Sequence, residues 1–513
     1  MMRHWIKIVF LVTILLPAAC GRKDNPQDPS VIPAIRITVT DVDAFRATVD
    51  VASVQTARLR YGVGSTESDA RKMEDYMTTP NEKTAQFSLT LQDLQPDTDY
   101  IFCAQGIGPG GEEGNVATAH FTTPAGPDGL YSWERGREKA PDFKAISLIT
   151  RGQHNYNPPL WTVPRFAPHV SYTDASGEHW LFDAFLCTEG YDGPRGLTMS
   201  IQSDGHRSAI KASWEELLDY WFANNGALEA LDDAVAAVAS RLGTPPTPRY
   251  VVISVPDPIM FQVFSDRSSS TTYWGSLDGE VMDFSRLEHQ EKAYRWFMDQ
   301  CRERFRTLQP RYLELAGFYV LSEELPLAKR FYDSLGLPTD NADTWNAAYK
   351  RWEQILPDTA SYLKSCREGL YWIPYFCAPG YRVWKQLGFT MAWMQPNHYW
   401  DTANQHPMSR TVSALRSYGL GMELEFEYSM VYDQMKNGRW GPDGAGNATF
   451  TEADIPALRD RLREYMNALE ENGWKGIRSV ALYSGTDALT QLATSPDARD
   501  QEMYQEICNF IAP

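Results

Sequence analysis

The chain is poor in cysteine, with 7 in 513 residues, and none stands in a CxxC or Cys/His spacing. No structural zinc site is expected, and neither metal nor cofactor is assigned; Cys103, Cys187, Cys301, Cys366, Cys377 and Cys508 read as buried free thiols. Positive charge is also in deficit: 48 Lys and Arg stand against 66 Asp and Glu, a net charge of −18. Phosphate backbones need clustered cations, so a nucleic-acid partner is excluded. Gly-x-Ser-x-Gly does not occur, which removes the nucleophile elbow of an esterase. No glycine-rich phosphate loop follows any expected strand. Beyond the first residues, no apolar run approaches the ~18–20 residues that a membrane helix requires. Aromatic residues are plentiful, with 16 Trp and 26 Tyr. Some of these could offer flat apolar faces to sugar rings, and most must be core.

At the amino terminus, Arg3 and Lys7 flank an apolar core from Ile8 to Leu16, followed by Leu16-Pro17-Ala18-Ala19-Cys20-Gly21. This is a secretory signal. It resembles a bacterial lipoprotein signal, in which the Cys after small residues is lipidated, although Pro17 departs from the usual pattern. The resemblance implies lipidation at Cys20, a signal over 1–20 and an exported lipoprotein of the outer membrane, attached through its lipid anchor only. An ordinary cleaved signal with an incidental Cys is the alternative. Residues 21–33 are polar and carry Pro26, Pro29 and Pro33, which suits a spacer.

Two patterns divide the rest. Over 34–125, short alternating segments separated by turns (35–39, 46–51, 56–62, 85–91, 99–108, 117–123) read as an all-β sandwich. Leu94-Gln95-Pro96-Asp97-Thr98-Asp99-Tyr100, then Gly110-Gly111 and Phe121-Thr122-Thr123-Pro124, resembles a fibronectin type III domain, in which Tyr100 would form a tyrosine corner. Over 130–513, apolar strands alternate with amphipathic helices. Strands are expected at 145–150, 179–188, 250–255, 312–321, 369–376, 388–394, 421–427 and 477–483, with helices at 214–223, 228–241, 286–308, 344–355 and 456–472, the last capped at Gly473. Eight strands with intervening helices predict an α/β fold, a (β/α)8 TIM-type barrel preceded by the small immunoglobulin-like sandwich.

Barrel chemistry sits at the carboxyl-terminal ends of strands. The fourth expected strand ends in Glu323 and Glu324, and the seventh alternates Met422, Leu424 and Phe426 with Glu423, Glu425 and Glu427. Three acids on one strand face raise one another's pKa, a cost that points to a site; a solvated edge strand is the alternative. These two strand ends are where retaining barrel glycosidases, which the chain resembles here, place an acid/base and a nucleophile. The resemblance implies Glu323 as acid/base, with Glu324 as alternate, and Glu425 as nucleophile, with Glu427 as alternate. Strand parity at Glu323 and Glu324 stays open. Other strand ends carry polar and aromatic groups suited to sugars: Arg151 and His154, Glu189, Asn397, His398 and Trp400, and Tyr483 with Ser484 and Asp487. Asp183, inside an apolar stretch, needs a partner such as Arg151 or Lys144.

Phe182-Asp183 with Phe185, Gly317-Phe318-Tyr319 with Glu323, and Gly421-Met422-Glu423-Leu424-Glu425-Phe426 resemble a bacterial family of unknown function, domain family 4855, glycoside-hydrolase-like barrels of surface lipoproteins. The resemblance spans about 130–513 and adds Asp183 and Tyr319 to the substrate-binding set. It implies a glycoside hydrolase of a polysaccharide or glycan utilisation system. The expected partners are an oligo- or polysaccharide and other surface proteins of that system. A non-catalytic glycan-binding lipoprotein is the second reading, and retaining and inverting chemistry both remain open.

Overall fold

The structure, a computed structural model, describes residues 33–40, 42, 47–54, 56–73, 75–78, 84–91, 94, 98–124, 139–151, 160–192, 195–200, 207–339, 351–401, 403–435, 450–485 and 487–512. The expected signal, Cys20, the spacer up to residue 32 and His154 lie outside the described residues. The chain divides into two compact units, the first reaching Pro124 and the second running from Ala125.

The first unit contains strands β1 (Ala34–Thr40), β2 (Ala47–Val54), β3 (Arg58–Gly64), β4 (Asp75–Thr78), β5 (Thr84–Leu91), β6 (Asp99–Ile107) and β7 (Ala117–Thr122). They pair antiparallel in two sheets of order β1-β2-β5 and β4-β3-β6-β7. Period-two burial drives this: in β2, Ala47, Val49 and Val51 are buried and Asp50, Ala52 and Val54 are exposed. Strand β4 was not foreseen, because four residues are too short to register a period. Tyr100 stacks on Phe121 with ring centroids 5.6 Å apart.

In the second unit, eight parallel strands close into a barrel: β8 (Ala145–Thr150), β9 (Ala184–Thr188), β10 (Arg249–Val255), β11 (Leu313–Val320), β12 (Gly369–Trp372), β13 (Met391–Met394), β14 (Gly421–Glu425) and β15 (Val480–Tyr483), which pairs back with β8. The expected TIM-type architecture is therefore present. The longer helices are α1 (Val163–Val170), α2 (Lys211–Phe222), α3 (Ala227–Leu242), α4 (Leu287–Leu308), α5 (Trp352–Ser365), α6 (Met408–Tyr418), α7 (Ile455–Glu471) and α8 (Ala498–Ile511). Helix α7 shows why: Thr451 and Asp454 make a capping box just ahead of it, Pro456 opens it, and Ile455, Leu458, Leu462, Tyr465, Met466 and Leu469 form one buried face. Gly473, with φ +67°, follows its end as expected.

Several element boundaries differ from expectation: the strands expected over 369–376, 388–394 and 477–483 are Gly369–Trp372, Met391–Met394 and Val480–Tyr483, and two further differences have a visible cause. The strand expected over 179–188 is two structures: Gly177–Trp180 pairs antiparallel with Ser171–Asp174, and the barrel strand starts at Ala184. The interruption is Asp183, whose carboxylate accepts the backbone N–H groups of Lys144 and Ala145, each at 2.9 Å. Of the helix expected over 344–355, residues 344–350 lie outside the described residues; helix α5 begins at Trp352 and runs on past Ile355, with Pro357 inside it. The proline removes one backbone hydrogen bond, and the buried face of Trp352, Ile355, Leu356, Tyr362 and Leu363 holds the helix on the barrel regardless.

A β-bulge sets which side chains of β11 enter the barrel. Val251 pairs with Leu315 but Val252 with Gly317, so Ala316 is skipped. Beyond it, Phe318 faces outward beneath the Arg302 guanidinium of α4, 5.3 Å from the ring centre, and Tyr319 turns inward. Gly317 has φ +148°, and a Cβ there would lie 2.0 Å from the carbonyl oxygen of Gly369. Gly473 is also left-handed, but a Cβ on it meets nothing within 4 Å. Gly317→Ala should therefore destabilise the barrel by more than about 3 kcal/mol, and Gly473→Ala by only ~1–2 kcal/mol. Denaturant unfolding of the two variants checks this, and equal losses would mean that crowding at the bulge is not what demands glycine.

Candidate active site

Strand β14 is bonded on both sides, to β13 and to β15, and is no edge strand. Met422, Leu424 and Phe426 are fully buried on its outer side. Glu423 and Glu425 face the barrel interior, only 2% and 0% exposed. Glu425 Oε2 accepts the backbone N–H of Asn397 at 2.6 Å and the hydroxyl of Tyr465 at 3.0 Å. At this pair several buried polar atoms have no partner among the described residues: Glu423 Oε2, Glu425 Oε1 and, on the Gln395 side chain that bonds Glu425, Gln395 Oε1. Burial pushes the Glu425 carboxyl up to about 8, with the Tyr465 and Asn397 hydrogen bonds pulling against it and Glu323 adding to it. Glu423 lies well above the ordinary carboxylate range, through burial first and then the charges of Glu425 and Glu323.

Glu323 reaches the same mouth from the end of β11. Its loop is knitted to its neighbours: Ser322 Oγ donates to Asp257 Oδ2 at 2.7 Å, Trp372 Nε1 donates to the Ser322 carbonyl at 2.7 Å, and Tyr375 N donates to the Glu323 carbonyl at 3.1 Å. Glu323 is half-buried and acts electrostatically on Tyr319, Glu423, Glu425 and Tyr375. Glu324 is exposed. The parity left open by sequence thus resolves with Glu323 toward the mouth. Tyr375 stands between the carboxylates; burial and then Glu425 and Glu323 raise its hydroxyl, which receives the Asn397 side-chain N–H at 2.9 Å and lies 3.2 Å from His406 Nε2.

The remaining expected residues distribute unevenly. Asn397, at φ +53°, joins Glu425 to Tyr375 with its backbone and side-chain N–H groups. Glu427 lies past the strand end, where it accepts the Tyr483 hydroxyl at 3.1 Å, and Trp400 packs edge-on to Tyr483 at 6.0 Å. Tyr319 faces inward below Glu323. Arg151 and Glu189 meet at 3.6 Å on the rim above β8 and β9, with the guanidinium 5.0 Å from the Tyr220 ring centre. Asp487 pairs with Arg165 at 3.2 Å.

Two expectations are corrected. Asp183 sits at the amino-terminal end of β9, opposite the mouth; its hydrogen-bond partners are backbone amides and the charge acting on it is that of Arg249 rather than Arg151 or the Lys144 ammonium, so it caps the barrel floor. His398 stands above β13, but both its ring nitrogens face protein acceptors: Glu464 Oε2 at 2.6 Å and the His406 carbonyl at 3.1 Å. It fixes the loop carrying Asn397, with both ring nitrogens engaged within the protein. Sequence reading assigned no role to Tyr375, Gln395, Asp257 or Tyr465, although Gln395 begins the stretch after the sixth strand that it read as suited to sugars. The first three lie just past strand ends, where position was the available signal; Tyr465 reaches in from α7, and nothing in the local sequence marks it.

Among the described residues, no group of three or more His, Cys, Asp or Glu could hold a metal ion, and no helix is long and apolar enough to cross a membrane. All six described cysteines are free.

The raised carboxyls have a measurable consequence. The folded chain retains protons that an unfolded glutamate, at its ordinary 4.5, has released by about pH 8. The Glu425 contribution to stability is present below about pH 4.5 and is lost as pH rises through about 8, and that of Glu423 changes in the same direction. The Glu423→Gln/Glu425→Gln double variant should lack this decline, so its stability relative to wild type should increase from about pH 5 to pH 8 in urea unfolding. A pH-independent difference would mean that neither carboxyl is raised.

Comparison with solved structures finds small domains. The sensor domain of the anti-sigma factor RsgI4 of Pseudobacteroides cellulosolvens is 19% identical, covering 18% of this chain and 91% of that one, with a TM-score of 0.15. The sixth fibronectin type III domain of human fibronectin type III domain containing protein 3 is 19% identical, covering 17% and 81%, with a TM-score of 0.14. A redesigned β-sandwich protein is 22% identical, covering 18% and 96%, with a TM-score of 0.15. Scores this low carry no argument, and the architecture rests on the strand order above. No curated protein matches. A family model does match, over residues 145–335 and 341–440, which is more than half of the chain and includes β8 to β14 with Glu323, Glu423 and Glu425. The chain therefore belongs to the family described as "Domain of unknown function (DUF4855)".

Proposed function

We propose that this protein is a glycoside hydrolase of a bacterial glycan utilisation system, with Glu323 as acid/base and Glu425 as the nucleophile of a retaining mechanism. The observation that carries the reading is the convergence of carboxyls from the ends of β11 and β14 at the carboxyl-terminal mouth of a parallel barrel. Glu323, half-buried at the mouth, is placed to protonate a leaving oxygen. Glu425, with two hydrogen-bond donors on one oxygen, is placed to attack the anomeric carbon. Trp400, Tyr483 and Tyr375 offer aromatic faces beside it, and the unpartnered oxygens of Glu423 and Gln395 suit a ligand rich in hydroxyl groups. Lipidation at Cys20 would hold the enzyme at the outer membrane, in reach of polysaccharide and of partner proteins of the same system.

A second reading, a glycan-binding lipoprotein without turnover, is favoured by one observation. A carboxyl raised to about 8 is largely protonated at neutral pH, and a protonated Glu425 does not attack.

Incubation with a panel of polysaccharides and glycoprotein glycans decides between them. Under the enzyme reading wild type releases new reducing ends, and Glu323→Gln lowers kcat by about 10²–10⁴-fold. Glu425→Gln should lower it at least as far, with the fold of both variants intact by circular dichroism. Binding without products from wild type would establish the second reading, and full activity in both variants would refute the assignment. Proton NMR of the first-formed anomer reports retention or inversion. Separately, Cys20→Ala should move the protein from the membrane fraction to the soluble fraction; unchanged partition would refute the anchor.

A further inference from the structure

Glu423 and Glu425 are two residues apart on the inner face of β14 and share one enclosed space, 2% and 0% exposed. A second negative charge there would stand against the first with little solvent to screen it, so the pair keeps a proton between them. Hydrogen-bond donors decide where that proton resides. The Glu425 carboxylate receives the Asn397 N–H at 2.6 Å and the Tyr465 hydroxyl at 3.0 Å, both of which favour its ionised form. Glu423 receives no hydrogen bond among the described residues, and its Oε2 is buried without a partner. The titratable groups facing the pair are Glu323 at the end of β11, Tyr319 within β11, Tyr375 beyond β12 and Tyr465 of α7, all of them acidic; Asp257, beyond β10, faces Tyr319.

We infer that Glu423 is the last member of this buried pair to give up its proton and serves as a positioning residue that leaves the pair's first negative charge on Glu425. The purpose, though not the proton's location, rests on the glycosidase reading, since attack on an anomeric carbon requires Glu425 to be ionised. Burial raises both carboxyls, and the donors of Asn397 and Tyr465 pull against it at Glu425 alone.

Infrared difference spectroscopy of the full folded chain, held just above the pH of about 8 through which Glu425 titrates, tests this without substrate, through the C=O stretch of a protonated carboxyl. Subtracting a variant from wild type cancels other buried acids such as Asp183, Asp299 and Asp487, which burial also raises. The wild type minus Glu423→Gln spectrum should show one protonated-carboxyl band lost, and wild type minus Glu425→Gln should show none. A band that disappears with Glu425→Gln, or that survives Glu423→Gln, overturns the inference. Should Glu423→Gln fail to fold, the Glu425→Gln spectrum decides alone. These bands are independent of turnover: an inactive wild type with the expected spectra would sink the glycosidase reading and leave the proton assignment standing, and an active one with the reverse spectra would do the opposite.

Discussion

Closing eight parallel strands into a barrel forces alternate side chains of every strand into one enclosed interior, and the site follows from how that interior is filled. Its floor is aromatic: Phe143, just ahead of β8, lies 5.3 Å from Tyr371, 5.9 Å from Trp393 and 6.3 Å from Tyr250. Its upper layer is acidic, with Glu423 and Glu425 above the floor and Glu323 at the mouth. The bulge at Ala316 and Gly317 belongs to the same constraint. One skipped residue turns Tyr319 inward and sets the parity of everything after it, which is why a glycine with an otherwise forbidden φ stands there.

The outer layer completes the mouth. Tyr465 of α7 reaches past the strands to Glu425, and the neighbouring Glu464 holds His398, so one helix supports both the carboxylate and the loop bearing Asn397. Arg459, also on α7, donates to the Met430 carbonyl and to Asp500 of α8, whose carboxylate in turn accepts the N–H groups of Tyr432 and Asp433. The chain beyond Glu427 is thereby fixed by two helices. Such buried ion pairs contribute orientation more than net stability, because desolvation offsets most of their attraction.

Charge is handled in two ways within one barrel. Outside the strands, Glu368 is buried but neutralised by the Arg302 guanidinium, with Asp299 and Tyr362 completing the cluster. Inside, Glu423 and Glu425 meet tyrosines and a third carboxyl, so protonation does what a cation does outside. A structural acid can take either solution. An acid that must change its charge state or contact a substrate is better served by the second, and this separates the interior pair from the Arg302 cluster.

Much was legible in the sequence because it is carried by local periodicity. The alternation in Gly421–Glu425, the apolar runs of the other strands and the amphipathic face of Ile455–Glu471 each report burial directly, and in that order they specify a parallel barrel behind a sandwich. Glutamates at the ends of the fourth and seventh strands could be named because chemistry in such a barrel gathers at strand ends. What sequence could not determine were relations across the fold: which of Glu323 and Glu324 faces the mouth, that Asp183 caps the opposite end, that His398 is spent on Glu464, and that Tyr465 and Asn397 give donors to Glu425. Parity after a bulge, and contacts between residues dozens of positions apart, arise only when the strands close, since closure is what brings those distant groups within hydrogen-bonding reach.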